Sequence, residues 1–118
     1  MNEFIAYIDE LIVEYQEQET ELIAADRKDE ANFAKIRINI CDICKTLYGA
    51  SEKIVQAKGV ATAEAFKEEY LRQLTRLPEN WKMSLEKAKE HGDSTKIVIE
   101  EIKLETLQMI RDKYEQGE

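Results

Sequence analysis

One proline and four glycines punctuate 118 residues. A β-sheet protein of this length needs many turns, and turns draw heavily on those two residues, so their scarcity predicts a few long helices. No apolar run approaches the roughly 20 residues that span a bilayer, so no membrane attachment is expected. The N-terminus has no basic stretch followed by an apolar one, so no secretory signal is expected. Two cysteines without such a signal point to a reducing cytoplasm. Lys and Arg are nowhere clustered, and the formal charge is −8 with a pI near 4.8. Nonspecific binding to nucleic acid or anionic lipid is therefore not expected, because phosphates would repel the chain.

Base is missing from one region altogether. The first 26 residues hold eight acids and no Lys or Arg, while the rest of the chain carries 17 of each sign. Glu3, Glu10, Glu14, Glu17 and Glu21 follow steps of 7, 4, 3 and 4, which place them on one ridge of a helix. Like charges so spaced repel, so the ridge must be solvated, paired with bases, or used by a partner.

What is present is a hydrophobic fraction of 43%, ordinary for a chain with a core, in a length that suits one domain over residues 1–118. Apolar periodicity predicts a first helix over about 2–25, with Phe4, Ile8, Leu11, Tyr15 and Leu22 as its seam. A second runs over about 29–57, with Asp29 as N-cap and Gly59 near its stop. Phe33, Ile36, Ile40, Ile43, Leu47 and Ile54 form its main stripe. Arg37, Cys41, Cys44, Tyr48 and Val55 lie to one side, so its buried face is wide. Leu22 and Phe33 are in helical phase, so a single rod of more than 50 residues also fits; it would put Asp26 and Asp29 on the apolar seam, which favours a hairpin. A third helix follows Thr62 over 63–77 and a short fourth runs over 79–91 beyond Pro78, closing at Gly92. A fifth starts from an Asp93 or Ser94 cap and reaches about Tyr114. The expectation is an all-α, mainly antiparallel bundle of four or five helices with a long N-terminal hairpin.

Candidate chemistry is thin. Cys41-Asp42-Ile43-Cys44 supplies half of a structural zinc site, but no second pair exists and His91 is the only histidine. A four-cysteine site would arise only across a dimer. A redox pair of the thioredoxin kind follows a strand and opens a helix, whereas this pair sits inside a helical apolar stripe, where cysteine packs as a small hydrophobe. Ala88 stands three before His91, so the Glu-x-x-His pairs of di-iron bundles are absent. His91 is expected to sit at the end of the fourth helix, where a cation suits the dipole. No nucleophile, base or phosphate loop is nominated, so neither an enzyme nor a cofactor is expected.

The acidic ridge and one apolar pair are left over. In an antiparallel hairpin, Lys35 is expected near Glu17 and Glu21 and Lys53 near Glu3, with Lys28 on the same flank. Glu10 and Glu14 remain for water or a basic protein partner. Ile97 and Leu104 lie seven apart, off the main face of the fifth helix, and face either a neighbouring helix or a second subunit. The favoured expectation is a structural or protein-interaction module, possible as a homodimer. The alternatives are a metal protein using Cys41 and Cys44 across a dimer, and an acidic decoy that occupies a basic partner.

Overall fold

A computed structural model describes residues 2–117, which form five helices. They are α1 (Glu3–Ala24), α2 (Lys28–Ala57), α3 (Ala63–Arg76), α4 (Glu79–His91) and α5 (Ser94–Gly117). Local chemistry sets most of the boundaries. The Asn2 side chain accepts from the Ile5 amide, Thr62 from Ala65, and Asp93 from Lys96, each satisfying an amide that the first turn leaves unpaired. Pro78 has no amide hydrogen to continue α3, so α4 begins directly after it.

Three helix ends share one device. At Asp26, Gly59 and Gly92 the chain turns left-handed, with φ of 58°, 72° and 65°. In each case the next amide reaches back five residues: Arg27 to Leu22, Val60 to Val55, Asp93 to Ala88. These are Schellman stops. Gly59 and Gly92 adopt that conformation without steric cost; Asp26 does not, although aspartate tolerates it better than most residues. Asp26→Gly should therefore stabilise the fold by about 0.5 kcal/mol, read from chemical unfolding. A loss of stability would mean that the aspartate side chain itself holds the turn.

The turn at Asp26 decides between rod and hairpin. Asn2 and Phe4 meet Tyr48, Asp9 meets Lys45, and Tyr15 lies under Arg37, so α1 and α2 run antiparallel. The predicted N-cap of α2 needs correction. Asp29 lies inside the first turn, Arg27 occupies the cap position without a side-chain bond, and its guanidinium reaches forward to Glu30. Asp29 and Glu30 still suit the positive end of the helix.

Helix α3 returns antiparallel along the second half of α2, with Phe66 against Tyr48 and the Tyr70 hydroxyl donating to the Cys44 carbonyl at 2.9 Å. Helix α5 packs on α2 and, less extensively, on α1; α4 packs on α5. Tyr70 is fully buried and touches Phe4, Tyr48, Phe66 and Tyr114, so rings from α1, α2, α3 and α5 meet around it. Most of these contacts are edge-to-face, the arrangement that the ring quadrupole favours.

The buried face of α2 is rotated from the expected stripe. Ala31, Ala34, Ile40, Cys41, Cys44, Ser51 and Val55 are buried, whereas Phe33, Ile36, Ile43, Leu47 and Ile54 are only half-buried. Small side chains allow the neighbouring helices to approach closely, and the larger isoleucines are left at the rim.

Candidate functional site

The acidic ridge of α1 is exposed along its length. Glu3, Glu10, Glu14, Glu17 and Glu21 all face solvent, and none forms an ion pair among the described residues. The expected lysine pairing therefore changes. Lys35 lies 3.8 Å from Glu19 rather than beside Glu17 or Glu21, and Lys45 lies 2.5 Å from Asp9. Lys28 and Lys53 make no ion pair among the described residues. The physical reason is the direction from which α2 approaches: it meets α1 on the Asp9–Glu19 flank, and the ridge occupies the other flank.

On that other flank, Glu3 and Glu10 border a cleft of about 920 Å³ with Asn2, Phe4, Tyr7, Tyr48, Lys113 and Tyr114. The Lys113 ammonium sits 5.2 Å from the Tyr7 ring centroid, a cation–π contact. Asn2 donates to the Tyr48 hydroxyl at 2.6 Å. Burial raises the Tyr7 phenol above its ordinary value, with the nearby Cys41 and Glu14 adding to the effect. The lining offers amide, carboxylate, ammonium and aromatic groups, but no cysteine, histidine or serine. It can seat a cationic or aromatic group.

Cys41 and Cys44 lie at the other extreme. Both are free thiols with no exposed surface. Burial pushes each up to about 12, with Asp42 adding to the effect on Cys41 and Cys41 to that on Cys44. Neither thiol offers surface to an incoming ion. His91 is exposed in the last turn of α4 and does not join the two cysteines. Among the described residues no three His, Cys, Asp or Glu side chains converge as a metal site.

Ile97 and Leu104 are each half-buried. Leu104 lines a shallow groove with Leu74, Pro78 and Leu107, and Ile97 does not border it.

Two buried acids escaped the sequence reading. Glu69 is held by Arg72 and by Gln73 at 2.9 Å, and the Arg72 hydrogen bond keeps its carboxyl below the usual range. Glu100 accepts from Lys103 at 2.9 Å, while its other oxygen is buried and unpartnered among the described residues. Lys103 in turn lies 5.9 Å from the Trp81 ring centroid. Each acid has its base three residues on, a spacing visible in the sequence that carries no information about burial.

Comparisons with protein-family models, curated proteins and solved structures returned no match. Among the described residues, no helix is long and apolar enough to cross a membrane.

Proposed function

We propose that this chain is a protein-interaction module rather than an enzyme, and that the α1 ridge is its contact surface for a basic protein. One observation carries the reading. The two cross-hairpin ion pairs use Asp9 and Glu19, so all five ridge glutamates are left for solvent or a partner. Glu10 and Glu14 lie in the middle of the ridge, and Glu10 also borders the Lys113 cleft. A partner with an opposing row of Lys or Arg would associate rapidly and with strong salt dependence, since electrostatic steering acts mainly on the on-rate. The acidic-decoy role is one form of this reading. The metal reading has no comparable support, because reaching Cys41 or Cys44 requires opening the core.

Charge reversal tests the surface without disturbing the fold, since both side chains are exposed. Glu10→Lys with Glu14→Lys should weaken capture of a binding protein in a pull-down by at least about tenfold, while the melting temperature stays unchanged. A protein retained equally by both forms at low and high salt would contradict the role of the ridge.

A further inference from the structure

Helices α1 and α5 touch only lightly, and a groove runs between them. The cleft of about 920 Å³ beside Asn2 and Phe4 is one half of it. A second depression of about 480 Å³, lined by Glu105, Gln108, Met109 and Asp112, is the other. Tyr7 and Lys113 border both, so this pair stands where the halves meet. From Glu105 to Gly117 the α5 wall is about 18 Å long.

Four acids edge the groove against one base: Glu3 and Glu10 from α1, Glu105 and Asp112 from α5, and Lys113. Glu3 stands four residues before Tyr7 and Glu10 three after it, so both share its side of α1. Among the described residues Lys113 forms an ion pair with none of these acids, and none of them pairs with another base. Asp112 accepts only from the Gln108 amide, at 2.8 Å. The Lys113 ammonium rests instead 5.2 Å from the Tyr7 ring centroid. The groove therefore already seats one cation on its aromatic surface, and the carboxylates around that seat lack a cationic partner.

Resting on the reading of α1 as a contact surface for a basic protein, we propose that this groove receives an arginine side chain of that partner, and that Lys113 is a resident competitor that leaves the Tyr7 ring when the arginine enters. Arginine suits both features of the site. Its planar guanidinium stacks on an aromatic face, and its fork of N–H groups pairs with carboxylates, whereas the lysine ammonium is a compact point charge. The exchange keeps a cation on the ring, adds charge-assisted hydrogen bonds to carboxylates, and returns Lys113 to water.

Fluorescence anisotropy with two labelled peptides of equal charge tests it, one bearing arginines between glycines and the other lysines in their place. At about 0.1 M salt, where charges more than about 10 Å apart are screened, the arginine peptide should bind at least about fivefold tighter. Lys113→Ala should tighten its binding at least about fivefold, while Lys87→Ala, which removes the same charge from α4, should change it less than about twofold. Tyr7→Leu should weaken it at least about fivefold, and Tyr7→Phe, which keeps the ring, less than about twofold. Both lysines are exposed, so Lys113→Ala carries the test even where Tyr7→Leu loosens the core, which a melting curve reads. No binding of either peptide, equal affinity for the two, or equal gains from the two lysine variants overturns the proposal. Glu14→Lys with Glu17→Lys separates the groove from the ridge, because these two acids border neither half of it. Loss of binding there without response at Lys113 and Tyr7 overturns the groove and keeps the ridge. Response at Lys113 and Tyr7 without loss there supports the groove and removes the ridge.

Discussion

Tyr70→Ala is expected to cost about 4–5 kcal/mol of stability, enough to leave the protein largely unfolded if its total lies near the lower end of the ordinary range of roughly 5–15 kcal/mol. The reason is position rather than size alone. Tyr70 is fully buried, contacts rings from α1, α2 and α5 as well as its own helix, and donates to the Cys44 carbonyl at 2.9 Å. Removing the ring leaves a cavity where four helices meet, and no single helix can move to fill it without losing its other contacts. Tyr70→Phe separates the two contributions. It keeps the ring, removes the hydroxyl, and should cost only about 1 kcal/mol, since the Cys44 carbonyl sits within a helix and retains its place in the backbone ladder. Urea unfolding followed by circular dichroism reads both variants. A cost below about 1.5 kcal/mol for Tyr70→Ala would show that the aromatic cluster is peripheral to the fold.

The second large effect concerns the thiols. At pH 8, Cys41 and Cys44 should react with an aromatic disulfide far more slowly than the same thiols in urea. The nucleophile is the thiolate, and the folded thiols are raised from 9.0 to about 12. Lack of exposed surface adds to this, so reaction proceeds through transient opening of α2 from its neighbours. The pH dependence has a defined sign. A folded pKa above the unfolded one means that the protonated thiols contribute stability fully below about pH 9 and lose that contribution as pH rises towards 12. Reaction should accelerate and the unfolding midpoint should fall across that window. Immediate reaction of both thiols at the unfolded rate would contradict their burial and reopen a metal or redox role for the pair.

Much of the architecture was legible in the residues. Thr62, Pro78, Gly59 and Gly92 act locally, through a cap, a missing amide hydrogen and two left-handed turns, so sequence and structure agree there. Asp26 was harder because aspartate only tolerates the conformation that glycine favours, although its place on the apolar seam already argued against a continuous rod. The buried face of α2 lies a step away from the stripe that hydrophobicity alone predicts. Hydrophobicity selects Ile36, Ile43 and Ile54, whereas close packing selects Ala34, Cys41, Cys44 and Ser51. A helix with two apolar faces leaves that choice to tertiary structure. The ion pairs failed for a related reason: whether Glu17 or Glu19 meets Lys35 depends on which flank of α1 the second helix approaches, and both are consistent with an antiparallel hairpin. The acidic ridge, in contrast, followed from helical spacing alone, and its five glutamates are exposed as that spacing implied.

The proposed contact surface is the glutamate ridge of α1, on the exterior of the bundle. Amide hydrogen exchange on the protein alone and in complex with a protein it captures tests this most directly. New protection is expected along α1 around Glu10, Glu14 and Glu17, with exchange near Tyr70 and Cys44 no faster than in the free protein. Protection confined to other helices, or accelerated exchange around Tyr70 on binding, would contradict it.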